Sequence, residues 1–268
     1  MSNKIDPSVQ VRHFTMAYGT HVIQQNLNFD VNRGDIFFVV GGSGCGKTTL
    51  LKNMVGLIKP VAGEVFYNGI SFYRSDNVTQ SNLLKKWGIT YQSGALFSSM
   101  TLAENVALPI QQYTDLTEKR IAELVDYKLS LVGLSGYQAF YPAEMSGGMH
   151  KRAGLARAIA LDPELLFFDE PSAGLDPISS QLLDELIVQI CEALGATVII
   201  VSHELPSILS IGTNAVFLDA ETKTMLDTGD PKRLLAYSKS DKVRRFLSRG
   251  SKNNNEIKMD ANNVRVTE

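Results

Sequence analysis

The segment Gly41-Gly42-Ser43-Gly44-Cys45-Gly46-Lys47-Thr48 constrains this chain more than any other feature of it. It fits the spacing G-x-x-x-x-G-K-[ST]. An apolar run, Ile36 to Val40, precedes it and reads as a strand, and Thr48 to Val55 reads as a helix that stops at Gly56. Glycines at four of the eight positions let the backbone fold around phosphate oxygens and aim its N–H groups at them. The helix N-terminus adds a partial positive charge. In such a loop Lys47 reaches the β- and γ-phosphates of a nucleotide and the Thr48 hydroxyl binds Mg2+.

The rest of the chain supplies a setting for this loop. Val9 to Phe14, Leu27 to Val31 and Ile36 to Val40 are rich in β-branched and aromatic residues and read as strands, with Asn32-Arg33-Gly34 as a turn. Glu64 to Tyr67 is a further strand that ends at a hairpin-type Asn68-Gly69. From about Leu102 to Ala160 the pattern turns helical. Leu116-Thr117-Glu118 opens a segment with apolar residues at Ile121, Leu124, Val125, Leu129 and Val132. Short apolar runs then return at Leu165 to Phe168 and Thr197 to Val201, separated by a helix from Ser179 to Leu194. Buried runs alternating with helices predict a parallel sheet of βαβ units, with ligands beyond the carboxyl ends of the strands.

Composition narrows the class. In 268 residues, 44% are hydrophobic and 20% charged, a globular balance, and the apolar runs are strand-length, far short of the roughly 20 residues of a membrane span. Met1 to Pro7 has no apolar core of a secretory signal. Cys45 and Cys191 are too few for a disulfide framework and lack metal-ligand spacing, so a soluble, reduced cytoplasmic chain is expected. A net charge of −2 disfavours bulk binding to nucleic acid. It conceals a +4 tail from Lys239 onward, with six basic residues and only Asp241 acidic between Lys239 and Lys252. That tail reads either as a solvated charged helix with a frayed end or as a docking segment for the neighbouring subunit, a partner protein or an anionic surface.

The run Leu165-Leu166-Phe167-Phe168-Asp169-Glu170 delivers two carboxylates at a strand end, Asp169 placed to hold Mg2+ through water and Glu170 to act as general base. Between the two motifs lies Met145-Ser146-Gly147-Gly148-Met149. Ser146 can cap a helix through Ala153, Leu155, Ala156 and Ile159, exposing amides at its positive end.

At this point the sequence resembles the ATP-binding-cassette (ABC) ATPases, over roughly Val9 to Leu235. The resemblance implies an α/β fold of the P-loop NTPase class: a mostly parallel core sheet, an antiparallel β subdomain and a helical insertion. It implies that Gly41, Gly42, Ser43, Gly44, Cys45, Gly46, Lys47, Thr48 and Thr49 bind ATP, with Tyr18 stacking on adenine. Gln92 matches the glutamine that bonds Mg2+ and senses the transport domain, and His203 the histidine that contacts the γ-phosphate. Ser172-Ala173-Gly174-Leu175-Asp176 matches the loop that lies across the dimer interface. Cassettes of this family dimerise head to tail, so Ser146, Gly147 and Gly148 would close on ATP held by a second copy of the chain. Residues 9–235 would form the ATPase domain, with a helical subdomain over about 98–162, and residues 236–268 a partly flexible basic extension.

One cassette without coiled-coil arms disfavours the translation-factor and chromosome-maintenance branches. The stretch Gln92 to Phe97, the ending Ser-Gly-Gly-Met, Asp176-Pro177-Ile178 and Lys242 to Leu247 resemble the ATPases of the Mla phospholipid-transport systems of Gram-negative bacteria. Met149 stands where the wider family has glutamine, a departure this group accepts. The resemblance implies a membrane permease, a periplasmic MCE-domain lipid-binding protein and a small STAS-domain subunit as partners. It also implies a peripheral place on the cytoplasmic face of the inner membrane and glycerophospholipid as cargo. The alternatives are the ATPase of a polar-solute importer, such as an amino-acid system, and a nucleotide-gated regulatory protein with no transport partner.

Overall fold

The computed structural model describes residues 7–92 and 94–249. Alternation of apolar and polar residues builds the first sheet. β1 (Pro7–Tyr18) turns Val9, Val11, Phe14 and Met16 inward, and β2 (His21–Asn32) does the same with Leu27, Phe29 and Val31. β4 (Ala62–Tyr67) and β5 (Ile70–Ser71) complete an antiparallel sheet in the order β2-β1-β4-β5. The Asn68-Gly69 turn between β4 and β5 has both residues at positive φ, the hairpin geometry its sequence predicts.

The second sheet runs β10-β9-β3-β8-β7-β6. β3 (Ile36–Gly41), β6 (Trp87–Thr90), β7 (Leu165–Asp169), β8 (Thr197–Val201) and β9 (Asn214–Asp219) are parallel, and β10 (Thr224–Gly229) is an antiparallel edge. β3 lies between β8 and β9, and all of its residues are buried. Its alternate side chains enter two cores. Phe37 and Val39 face α1 (Lys47–Met54) and the antiparallel sheet, while Ile36, Phe38 and Val40 face helices on the other side.

That second core is closed by α3 (Leu102–Tyr113), α4 (Glu118–Leu131), α5 (Gly147–Ala158), α6 (Pro177–Leu194), α7 (Leu205–Ile211) and α8 (Pro231–Tyr237). The helices start where their caps direct. Thr101 makes a capping box with Glu104, Thr117 caps α4, and Ser146 caps α5. Of the helical stripe read in α4, Ile121, Val125, Leu129 and Val132 are buried and Leu124 is partly covered. Lys128 shares that buried face, a position its charge does not announce, and its ammonium reaches Asp162. The sequence reading does not include α2 (Asn77–Leu84) or the elements between His203 and the tail, α7, β9, β10 and α8.

Residues 241–249 are helical and pack on this chain's own body, with Val243 and Leu247 buried in the second core. The boundary drawn at Leu235 falls inside α8, so the packed body continues to Leu247. Residues 250–268, the rest of the proposed extension, lie outside the described residues. Among the described residues no helix is long and apolar enough to cross a membrane.

Candidate nucleotide site

β3 delivers Gly41 at its carboxyl end in tight quarters. A Cβ there would lie 2.4 Å from the Leu218 carbonyl oxygen and 2.6 Å from Cys45 Sγ, so only glycine fits. Gly46 is the N-cap of α1, and no side chain bonds to that helix end, which leaves its first N–H groups available to an anion. Lys47 folds back over the loop, its Nζ donating to the carbonyls of Gly41 (3.0 Å) and Gly42 (3.3 Å). The Thr48 hydroxyl donates to Asp169 Oδ1 at 3.0 Å, joining the loop to the end of β7.

Glu170 follows Asp169 with φ of 50°, in the left-handed region that a non-glycine residue occupies only when its surroundings hold it there. Three bonds do so. Its N–H donates to the Val201 carbonyl at 2.8 Å, and its carbonyl accepts from the Ala173 N–H at 3.2 Å and from Lys151 Nζ at 3.4 Å. The side chain is largely buried. Oε1 lies 2.8 Å from His203 Nδ1, and Oε2 is buried with no partner among the described residues. An unpartnered carboxylate oxygen there is a ready acceptor for a proton or a water.

Lys151 extends the network by donating also to the Gln92 carbonyl. Burial lowers the pKa of Lys151, and the carboxylates of Glu170 and Asp169 oppose that shift. α5 is pressed onto the loop after β6. A Cβ on Gly94 would lie 2.6 Å from His150 Nδ1, and Arg157 bonds the Ala95 carbonyl while lying 4.9 Å from the centre of the Phe97 ring.

These residues surround a cleft of about 780 Å³ that gathers Gly41, Gly42, Ser43, Gly44, Gly46, Lys47, Thr48, Thr49, Gln92, Glu170 and His203, together with Ile23, Leu205, Phe246 and Arg249. Other residues named from sequence lie apart from it. The Cys45 side chain is buried against Gly41, with its thiol pKa pushed up by burial, so only its backbone can serve the loop. Tyr18 stands half-exposed at the β1–β2 turn, while Ile23 lines the cleft. Ser146, Gly147 and Gly148 do not reach the cleft of their own chain. Gly148 instead borders a separate hollow with Leu175 and Ser179. Asp176 caps α6, accepting from the N–H groups of Ile178 (3.1 Å) and Ser179 (3.0 Å), and hydrogen bonds from Ser179 hold its carboxyl below the usual range.

Gln24 and Lys151 are the residues that sequence reasoning missed as parts of this site. Gln24 is buried in β2, and its Nε2 donates at 2.8 Å to the carbonyls of both Cys45 and Asp219. A lone amide in a strand gives no sequence signal of that role. Lys151 was visible only as a cation following the Ser-Gly-Gly-Met run.

The oxygen donors suit Mg2+. Thr48 and Asp169 offer one hydroxyl and one carboxylate side by side, with Gln92 on the same cleft, a sparse set that fits an ion retaining water and phosphate ligands. Among the described residues no group of three His, Cys, Asp or Glu could cage a metal.

Residues 24–173 match the family model described as ABC transporter. The "intermembrane phospholipid transport system ATP-binding protein MlaF" of Haemophilus influenzae is 43% identical over 239 residues, 89% of this chain and 89% of the relative. The "probable ribonucleotide transport ATP-binding protein mkl" of Mycobacterium leprae is 35% identical over 241 residues, 90% of this chain and 69% of the relative. A solved dimeric structure of MJ0796, titled a bacterial ABC transporter cassette, superposes with a TM-score of 0.75 at 25% identity, over 83% of this chain and 98% of that one. With the phosphate loop and the paired carboxylates in place, a family model matching over half of the chain and a relative 43% identical along 89% of both chains, the chain belongs to the ABC transporter family, as a cassette that hydrolyses ATP to drive transport.

Proposed function

We propose that this cassette powers the movement of phospholipid between the inner and outer membranes from the cytoplasmic face of the inner membrane. Glu170 carries the chemistry: His203 occupies one of its oxygens and the other is buried in the cleft with no partner among the described residues. That second oxygen is the general base, taking a proton from the attacking water. His203 orients the carboxylate and reaches the γ-phosphate. The loop amides and Lys47 cradle the phosphates, and Tyr18 covers the adenine from the β1–β2 turn. Thr48, Asp169 and Gln92 would hold Mg2+, which neutralises charge on the β- and γ-phosphates when bound.

The separation of Ser146, Gly147 and Gly148 from their own cleft supports closure in trans. Amides at the head of α5 meet the phosphates held by a second copy, and Asp176 lies along that interface. ATP then stabilises the closed dimer by mass action, and hydrolysis reopens it. The cargo assignment draws on the 43% identity with a phospholipid-transport ATPase along most of both chains. A permease completes the machine, with an MCE-domain protein and a STAS-domain subunit as further partners.

Native complexes purified from membranes, with their proteins and lipids identified by mass spectrometry, test the assignment. Copurifying phospholipid and an MCE subunit support it. A periplasmic solute-binding protein without an MCE subunit makes the chain a polar-solute ATPase, and an active complex lacking any membrane subunit makes it a regulatory protein. For the chemistry, Lys47→Ala abolishes nucleotide binding or turnover. Glu170→Gln retains ATP and accumulates closed dimer, whereas near wild-type hydrolysis by that variant removes the role of Glu170.

A further inference from the structure

The terminal helix, 241–249, is fastened to the strand that backs the phosphate loop. Phe246 meets Phe217 of β9 edge to face, with ring centres 5.1 Å apart. Lys242 Nζ lies 2.5 Å from Asp219 Oδ1 and 3.0 Å from Glu221 Oε1. Burial opposes ionisation of Asp219, yet Lys242 and Thr222 hold its carboxyl below the usual range. β9 pairs with β3 as far as Gly41, opposite Leu218, and Gln24 joins the Asp219 carbonyl to that of Cys45. Helix, strand and loop are therefore joined by direct contacts.

The helix carries Arg245 and Arg249, four residues apart and so on one face. Lys242 and Arg244 spend their charges on Asp219, Glu221 and Asp241. Among the described residues neither Arg245 nor Arg249 has an acidic partner. Both border a hollow of about 640 Å³ that Gly42 and Ser43 of the loop also line, along with Asp219, Glu221 and Asp241, whose charges Lys242 and Arg244 take up, and Arg249 also opens into the nucleotide cleft that holds Glu170 and His203. Two unpaired guanidinium groups thus stand beside an anion-binding loop, and one of them shares the cleft with Glu170 and His203.

We propose that Arg249, with Arg245 behind it, is a further nucleotide-binding group of the same chain, directed at the terminal phosphate of a nucleoside triphosphate. The assignment rests on the reading of the cleft as an ATP site and adds to it a cation outside the motifs that define the cassette. A guanidinium pairs well with phosphate oxygens, and a docked helix presents it with much of its freedom already lost. The contact discriminates triphosphate from diphosphate, because only the former carries charge out to the part of the cleft lined by Glu170, His203 and Arg249.

The test is titration of the full chain with fluorescent ATP and ADP analogues, comparing wild type, Arg249→Ala, Arg249→Lys and Lys47→Ala, with melting curves for each. Arg249→Ala should weaken the ATP analogue about threefold to fivefold and the ADP analogue less than about twofold, a solvent-exposed ionic contact being worth no more. The loss should shrink at high salt, recover in part with lysine, and leave the melting temperature unchanged. Equal affinities for wild type and Arg249→Ala overturn the proposal, as does an equal loss for both nucleotides accompanied by a lower melting temperature. A wild-type chain that binds neither analogue, or Lys47→Ala binding like wild type, overturns the cleft itself and this proposal with it.

Discussion

Lys151→Met should slow ATP turnover about tenfold to thirtyfold while leaving nucleotide affinity almost unchanged. The side chain joins two backbone carbonyls, Gln92 and Glu170, and the second belongs to a residue at φ of 50°. A non-glycine residue in that conformation costs about 1–2 kcal/mol, which its surroundings must supply. A hydrogen bond from a charged donor contributes about 1.5–3 kcal/mol, and the 3.4 Å bond to Glu170 stands at the weak end of that range. Losing the tether therefore removes about 2 kcal/mol of restraint on the carboxylate, and each 1.4 kcal/mol is tenfold in rate if it is expressed in the transition state. The assay is steady-state ATPase kinetics beside direct nucleotide titration, with Lys151→Arg as the variant that keeps a charged donor. An unchanged kcat in Lys151→Met refutes the reasoning. So does a parallel collapse of kcat, affinity and melting temperature, which would make Lys151 a support of the whole fold.

Leu247→Ala removes about 2.5 kcal/mol of buried side chain from the contact with Val40, Ile208 and Leu234, so amides of residues 241–249 should exchange about 50- to 100-fold faster while those of β3 hold. Uniform acceleration in hydrogen-exchange mass spectrometry would show that the helix opens only with the whole fold. Burial raises the Asp184 carboxyl to about 6, with Ser207 opposing and Glu204 and Glu185 adding to the shift. Between about pH 4 and 6 the folded chain then binds more protons than the unfolded one, so this group's contribution to stability falls as pH rises and is flat above. Asp184→Asn should remove that slope and raise the melting temperature relative to wild type at pH 7.5 more than at pH 4.5; an equal difference at both contradicts it. Cys45 and Cys191 are buried with raised pKa values, so maleimide should label neither in the folded chain within minutes, and rapid nucleotide-protected labelling of Cys45 would contradict its placement.

Much of the site was legible because its chemistry is local. The loop from Gly41 to Thr48, the carboxylates after Leu165 to Phe168 and the Ser146 cap each act within a few residues, so spacing alone exposes them. The helical stripe of α4 was readable for the same reason. Gln24 was not, because its partners Cys45 and Asp219 are 21 and 195 residues away. Nor was the placement of the tail. Its charge was plain, but the acids that receive Lys242 come from the end of β9 and the turn beyond it, and that strand reaches the helix only through the order of the sheet.

The sequence by itself determined that this chain makes a phosphate loop between a strand and a helix, a second strand ending in two carboxylates, and a capped helix with exposed amides, since each follows from backbone preference and short spacing. Tertiary structure decided that Thr48 meets Asp169, that Glu170 is held in a left-handed turn with one oxygen against His203, and that the head of α5 stays outside its own cleft. Those outcomes depend on which strands lie side by side and which side chains the packed cores leave no room to turn elsewhere, interactions that no local stretch of the chain contains.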